Sequence, residues 1–571
     1  MKPSGRVLLL SLLGAAYAPA DVIKGPYLVD MTPDSARVRL EADSPGHTEV
    51  VVWPEARRGL RTAVRAKESS YEVINSVLSS QSSQRSLEQK EERFLYDALL
   101  TGLAPATTYG YEVRHDGAPS GGGTFRTFPR DPERVTFLAI GDVRTGHHFH
   151  RALAMRMAKE RAAFLTIAGD LVVDGKIYAN WQYYFDIQGP LFRDVPVFPA
   201  WGNHEGRDGF FEKYFPFPDN NRDRSFFFWR RLYNRSFDCG PVHVLLLDSG
   251  VSLDSGDLKW IDDDLEAARD RPWKIAVYHH PSFNEGGHGS AYGLSKLVPL
   301  FKKHRLDLTI TGHSHLYERT FPLKSASKDE QPIVHVVCGG GGAPLVQNQD
   351  AFYLAQNRKV HHYLRFEADA EQLIGTAIDI DGVVFDRFVL EKPKKPSLAR
   401  GNGSVPPAEP EAREGAPPEA AGSDSAALSA ERRTLPEENV MLWRTLKGLL
   451  NTSGKLLVPP KDSPPKRFSR LPWVLRVPAC PVPVKLEVEL RLDPVDAAFW
   501  KLTPDVDRFE WNAVKSDRLF WLEPRNAEAL QRESTPRVIV RMDSPFGPFV
   551  QGGRLGVTFV RDGKATRRDR I

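Results

Sequence analysis

Five short polar segments, each delivered by an aliphatic or β-branched run, constrain this chain more than any other feature. They are GDVR (141–144), AGD (168–170), GNHE (202–205), HHP (279–281) and TGHSH (311–315). VTFLAI, AAFLTI, KIAVY and LDLTI lead directly into four of them, and VPVFPA stops one residue short of GNHE. Segments of helical pattern lie between several of these pieces. Buried strand, polar tip and helix in alternation are what an α/β unit produces, its strands presenting polar residues at their carboxyl ends.

At 571 residues the chain exceeds one ordinary core, so about two to four domains are expected. Its formal net charge of +4 is small for that length and singles out no class of partner. Cys239, Cys338 and Cys480 lack metal-site spacing and are too few for a disulfide framework. Residues 1–18 read as a signal peptide: Lys2 and Arg6 precede VLLLSLLGAA, and AYA before Pro19 fits a small-residue cleavage site. That run is too short to span a bilayer and no later stretch reaches transmembrane length, so the expected location is secreted or periplasmic.

Residues 21–130 read as an all-β module, with ARVRLEA, TEVVVW and LRTAVRA as short strands. LAPATTYGYEV (103–113) puts Tyr109, Tyr111 and Val113 on one face after a Pro-containing turn, and it resembles the last hairpin region of fibronectin type III domains. A Ser-, Gln- and Glu-rich insert at 68–92 is expected to cross the surface between strands. The five segments lie in residues 131–390. There HFHRALAMRMAKE and NWQYYFDIQGPLFR read as helices, the second with Trp181, Tyr184 and Phe185 in the core or at its rim. VHVLLLD reads as a buried strand and DSGDLKWIDDDLEAARD as an amphipathic helix opened by cap residues. IVHVVC, HHYLRFEAD, QLIGTAIDI and VVFDRFVL read as strands of a second sheet. A Pro/Ala/Glu-rich linker is expected at 391–437, and a small, mostly β domain at 438–571. RDGKATRRDRI at its end reads as a solvated basic tail, because no interleaved aromatics mark it as a nucleic-acid arm.

Charged residues at buried strand tips need partners, since burial without them is costly. A pair of metal ions supplies them. Asp170 is placed to bridge both ions, and Asp142 to complete the carboxylate set of one. Asn203 offers the other a neutral oxygen, while His279, His313 and His315 add imidazoles. His204, next to Asn203, reads as an outer group facing a substrate anion. Taken singly, each piece has a bland alternative as a surface or satisfied core residue. All five together, in this order and each after a strand, favour the metal centre.

These segments resemble the calcineurin-like metallophosphoesterase superfamily, whose pattern is D-x-H, GD, GNH[DE], H and GHxH. With the β module in front and GHSHLYER at 312–319, the chain is most similar to the purple acid phosphatase branch. The resemblance covers residues 21–390. It implies a four-layer α/β fold, a double β-sandwich flanked by helices, with a dinuclear site at the strand ends that hydrolyses phosphate mono- or diesters. It further implies that Asp142, Asp170 and His315 bind one ion, and Asp170, Asn203, His279 and His313 the other. Two positions depart from the pattern. Arg144 stands where the motif has its histidine, and GDLVV places Val173 where the purple branch has a ligand tyrosine. One ion therefore lacks a usual ligand, to be replaced by water or by His147, His148 or His150, and no purple colour is expected. The cofactors expected are two divalent or mixed-valence transition ions, iron, zinc or manganese, among which this donor set does not choose.

Arg144 suits a phosphate oxygen, with a salt bridge to a carboxylate such as Asp174 as the alternative. The expected mechanism places a phosphoryl ester against the ions, Arg144 and His204, for in-line attack by activated hydroxide. His288, on a glycine-rich loop, is the general-acid candidate, or else a surface histidine; Asn284 on that loop would position a substrate oxygen. CGGGGAP (338–344) lacks the lysine and hydroxyl of a P-loop and reads as a close backbone approach, with Cys338 buried. Glu318 and Arg319 are expected to pair and hold the GHSH turn. The insert at 207–235 carries aromatics and arginines that could stack a nucleobase or contact the β module. The expected function is metal-dependent hydrolysis of a small phosphate ester or nucleotide. The alternatives are a degenerate scaffold acting as a secreted binding module, and a nucleotidase or nuclease. A nucleic-acid partner is disfavoured for want of a clear positive groove, and the sequence specifies no partner for the last domain.

Overall fold

The computed structural model describes residues 21–76, 88–207, 209–216, 233–324 and 331–392, with separate stretches between 435 and 568. The expected signal segment, most of the 207–235 insert and most of the expected linker lie outside the described residues.

Eight strands open the chain: β1 (Val22–Val29), β2 (Ser35–Ala42), β3 (Thr48–Pro54), β4 (Thr62–Arg65), β5 (Lys67–Ser76), β6 (Glu88–Thr101), β7 (Thr108–His115) and β8 (Ala118–Arg126). They build a sandwich of two sheets, ordered β1-β2-β6-β5 and β4-β3-β7-β8. Period-two alternation sends Ala36, Val38 and Leu40 into the gap, where they share a core with Val50, Val52, Tyr111 and Val113 of the other sheet. At the corner before β7, the Ala104 N–H donates to the Tyr109 hydroxyl at 2.9 Å. The described residues of the 68–92 segment, expected to cross the surface, are strand, and 77–87 lie outside the described residues. β5 and β6 pair antiparallel from Lys67↔Asp97 to Ser76↔Glu88. In β5 Val73 is buried and Tyr71 partly so, too thin a pattern to stand out from its polar neighbours.

The central region continues with β9 (Val135–Ile140), α1 (His147–Met157), β10 (Phe164–Ile167), α2 (Tyr178–Phe192), β11 (Val197–Pro199), α3 (Phe211–Tyr214), β12 (Arg235–Cys239) and β13 (Val242–Leu247). Then come α4 (Ser255–Ala267), β14 (Trp273–Tyr278), α5 (Leu297–Lys303), β15 (Leu308–Thr311), β16 (Tyr317–Thr320), β17 (Leu323–Lys324), β18 (Val334–Cys338), β19 (Leu354–Arg358), β20 (His362–Ala368), β21 (Gln372–Asp379) and β22 (Val384–Glu391). A six-stranded sheet ordered β11-β10-β9-β20-β21-β22 faces a seven-stranded sheet ordered β12-β13-β14-β15-β18-β16-β19. Phe137, Phe164, Phe198 and Phe366 of the first meet Val244, Leu246, Ile275 and Ile310 of the second. The outer faces are covered too: Leu138 and Leu165 by Leu153 of α1 and Trp181 of α2, Leu245 and Tyr278 by Trp260 of α4 and Phe301 of α5. Burial on both faces is why these strands read as unbroken apolar runs. α4 starts at a capping box, with Asp254 and Asp257 each accepting the other's backbone N–H.

One sequence expectation is corrected, and a second gains detail. β18 does not join β20–β22 in a second sheet; it pairs parallel with β15, whereas β20 pairs antiparallel with β9. The tips GDVR, AGD and GNHE thus come from one sheet, and HHP and TGHSH from the other. An apolar run reads alike in either sheet, so the sequence could not divide them. Glu318 and Arg319 each have partners on other segments. Glu318 accepts the backbone N–H of Glu285 and Gly286, and Arg319 grips Asp386 through Nε at 2.7 Å.

The sandwich meets α2 and α3 through a buried ion pair, Lys24 Nζ to Glu41 at 2.5 Å, with the Tyr71 and Tyr178 hydroxyls also donating to Glu41. The Tyr214 carbonyl of α3 accepts from Tyr27 and Arg39, so the described part of the 207–235 insert does contact the β module.

Beyond residue 434, in a separate compact unit, the described stretches are largely strands. Val484–Leu492 lies between Val506–Trp511 and Arg537–Ser544, with Gly547–Arg554 at the edge. Within the basic end, Lys564–Arg568 pairs antiparallel with Gly556–Arg561. Among the described residues no helix is long and apolar enough to cross a membrane.

Candidate metal centre

The five polar tips meet where the two sheets end. Backbone bonds stitch neighbouring tips together, Asp142 N–H to the Gly169 carbonyl and Gly312 N–H to the His279 carbonyl, each at 3.0 Å. The turns are sharp enough to leave Asp142, Asp170 and His313 at φ of 55°, 58° and 68°, the left-handed region that non-glycine residues avoid. Gly169 has no such choice: a Cβ there would lie 2.7 Å from the His279 ring.

His279 Nδ1 is 2.8 Å from the Ala168 carbonyl, which can only accept, so Nδ1 carries the proton and Nε2 the lone pair. Yet that Nε2 sits 2.9 Å from Asn203 Oδ1 and 3.3 Å from Asp170 Oδ1. Lone-pair atoms converging this closely fit a shared cation. Asp142 Oδ1 gives the same indication: it is buried without a hydrogen-bond partner, 3.4 Å from His315 Nε2. Asp142 Oδ2 accepts the His313 N–H at 2.8 Å. Two overlapping donor groups, Asp142 with Asp170 and His279, and His279 with His280 and His313, each keep their atoms within 4.8 Å. This is a candidate dinuclear metal-binding cluster.

Burial opposes charge on Asp170, but His279, His204 and Arg144 hold its carboxyl below the usual range. Burial would depress His279 as well, and the Asp170 and Asp142 carboxylates reverse that. His313 is pushed down to about 3 by burial and by His279 and His280, which keeps its lone pair free for a metal. His280, whose Nδ1 is 2.9 Å from Ser249 Oγ, was not singled out from the sequence; the signal for it was the HH dipeptide itself.

Glu205 was missed too. Fully buried, it accepts the backbone N–H groups of Asp170 (2.9 Å), Leu171 (2.7 Å) and Gly202 (2.7 Å), tying the AGD turn to the GNHE turn. Burial and Asp170 raise it to about 7 against the pull of these donors. The acidic residue closing GNHE was its signal.

Residues 135–317 match the calcineurin-like phosphoesterase family. The central domain is a member of that superfamily. The chain is similar to purple acid phosphatase 18 of Arabidopsis thaliana, 27% identical over 227 residues that cover 36% of this chain and 50% of the relative. It is also similar to an uncharacterized protein of Mycobacterium tuberculosis, 28% identical over 339 residues, 48% of this chain and 62% of that one. The chain thus spans 50–62% of the length of these curated relatives. A purple acid phosphatase from yellow lupin seeds shares the fold, with a TM-score of 0.54 at 19% identity over 64% of this chain and 74% of that one. The curated relatives give the calcineurin-like domain its likeness to a purple-acid-phosphatase-like branch.

Around the cluster of this calcineurin-like domain, His204 donates Nδ1–H to the Val173 carbonyl at 2.6 Å and turns Nε2 towards Asp170, 3.8 Å away. Val173 therefore acts through its backbone at the place where the purple branch has its tyrosine. Arg144 contacts Asp170 Oδ2 at 3.1 Å and His315 Nε2 at 3.3 Å, not Asp174. None of the three histidines proposed to replace the missing ligand turns to the cluster: His147 stacks on Tyr183, His148 on Phe149, and buried His150 meets Gln188 at 2.6 Å. His288 is exposed, with its ring centroid 5.4 Å from that of His313 and 5.2 Å from that of His315. Asn284 is buried and its amide serves the loop, donating to Gly286 O and Ser314 Oγ and accepting from Ser290 N–H. The glycine run approaches closely as expected, with Gly341 N–H on the Gly141 carbonyl and Cys338 buried.

Proposed function

We propose that this chain is a metal-dependent phosphoester hydrolase. The observation that carries the reading is the approach of Asn203 Oδ1 and Asp170 Oδ1 to 2.9 and 3.3 Å from the lone pair of His279 Nε2. Asp170, Asn203, His279 and His313 would hold an ion, with Asp142 adjoining them. Bound there, the ion supplies Lewis acidity towards a phosphoryl oxygen and lowers the pKa of water. Arg144 binds the ester's anionic oxygens, and His204, held by the Val173 carbonyl through Nδ1–H, steadies charge growing on them when Nε2 carries a proton as well. His288 hangs over the same space from a loop that Glu318 clamps at Glu285 and Gly286, where it can pass a proton to the leaving oxygen. The substrate is a small phosphate mono- or diester, nucleotides included. Residues 21–130 act as a fibronectin type III-like support, a reading favoured by the Tyr109 corner, and residues 438–571 as a separate β domain.

The test is hydrolysis of a nitrophenyl monoester, a bis-nitrophenyl diester and a nucleotide set by the full chain reconstituted with iron, manganese or zinc. Turnover that needs a metal and disappears in Asp170→Asn is expected. A chain that takes up no metal and cleaves none of these esters is a binding scaffold, and the proposal is then wrong.

A further inference from the structure

Arg144 occupies more than a vacant motif position. We infer that its guanidinium takes the place of one of the two ions, so that the centre holds a single metal with Arg144 as its second cation. This rests on the hydrolase reading and concerns only how its positive charge is supplied.

Three donors would hold the second ion: Asp142, Asp170 and His315. Two of them already serve the guanidinium, through Nε to Asp170 Oδ2 at 3.1 Å and Nη2 to His315 Nε2 at 3.3 Å. His315 Nδ1 faces the Pro344 carbonyl at 2.9 Å, so Nδ1 carries the proton and Nε2 has one lone pair. That pair accepts an N–H from Arg144 or binds an ion; it cannot do both. Asp170 is divided in the same way. Its Oδ1 serves the His279 side and accepts the His204 N–H at 3.0 Å, while Oδ2 is turned to Arg144. The third donor, Asp142, does not require a second ion, because its carboxylate also belongs to the compact group with Asp170 and His279. Val173 offers no side-chain donor to compensate. A permanent cation only 15% exposed and in contact with its donors repels a second dication at short range. The guanidinium has five N–H donors and spends two here, leaving others for a phosphoryl oxygen.

The experiment counts metal on the full-length chain, stripped with chelator, reloaded separately with zinc and manganese, and desalted. The wild-type chain is expected to retain one equivalent, and Arg144→His, which restores the motif histidine, to retain two. Manganese-loaded wild type should give the resolved hyperfine spectrum of an isolated ion, and Arg144→His the broadened spectrum of a coupled pair. Two equivalents in the wild type, or one in Arg144→His with its fold intact by circular dichroism, would overturn the assignment. A wild-type chain retaining no metal overturns it as well, and takes the hydrolase reading with it.

Discussion

Replacing Glu205 with glutamine tests whether the turns carrying the candidate ligands are held from behind. The buried carboxylate accepts two N–H groups on Oε2, from Asp170 and Gly202, and one on Oε1, from Leu171. Glutamine keeps the shape but has one acceptor oxygen. Placed at Oε2, that oxygen retains two bonds, loses their charge assistance, and turns an amide NH₂ onto the Leu171 N–H. Losing one bond to a charged acceptor costs roughly 1.5–3 kcal/mol, and a donor facing a donor in the interior prevents recovery. A net loss of about 2–3 kcal/mol follows. If it falls on the turn that aims Asp170, metal affinity drops roughly 30- to 150-fold. Titration against a competing chelator, with zinc, measures that affinity, and a thermal melt of the metal-free chain measures stability. A Kd raised by that factor with a modest fall in Tm is expected. A destabilised chain whose metal affinity is unchanged would show that Glu205 braces the fold without aiming Asp170, and the reasoning would fail.

Other expectations come from groups away from this turn. Burial disfavours the charged form of His243, but Asp238 and Asp264, each 2.9 Å from a ring nitrogen, raise it to about 9. Because its folded pKa lies above the unfolded value near 6.5, this pair's contribution, up to about 3 kcal/mol, is complete below pH 6.5 and lost as pH rises through 9. The Tm gap between wild type and His243→Asn should therefore shrink between pH 6 and pH 9.5, and an equal gap at both would refute it. Lys24→Met leaves Glu41 buried without its cation and should cost about 3–5 kcal/mol. Adding Glu41→Gln should restore part of this in denaturant titrations, and a double variant worse than either single one would count against the pair. Burial and neighbouring His315 hold His288 below the usual imidazole range, so its proton donation should weaken early as pH rises. His288→Ala should lose far more turnover on alkyl than on nitrophenyl phosphates, and equal losses would remove it as the acid.

The parts of this molecule that were legible in the sequence share one property: many residues repeat the same physical message. Runs such as VTFLAI and VHVLLL are buried on both faces, so every residue carries the signal, and the polar tips stand out against them. Assignment of strands to sheets was illegible, because β18 and β20 each read as a strand and only pairing says which sheet each joins. β5 was hidden because few of its residues reach the core. Within the site, Asp142, Asp170 and the histidines could be named from motif and chemistry, whereas Glu205 and Asn284 work through backbone partners that no spacing reveals. Arg144 was visible as a departure, but its grip on both Asp170 and His315 depends on two sheets meeting.

The left-handed turns at Asp142, Asp170 and His313 have a consequence for how such a protein changes over generations. Each backbone there is held in a conformation that costs a non-glycine residue about 1–2 kcal/mol, and glycine would adopt it freely. Drift towards glycine at any of these places would make the polypeptide easier to fold. Such drift would also take a donor side chain away from the sheet ends, so at these three places a gain in stability and damage to the centre arrive in one substitution.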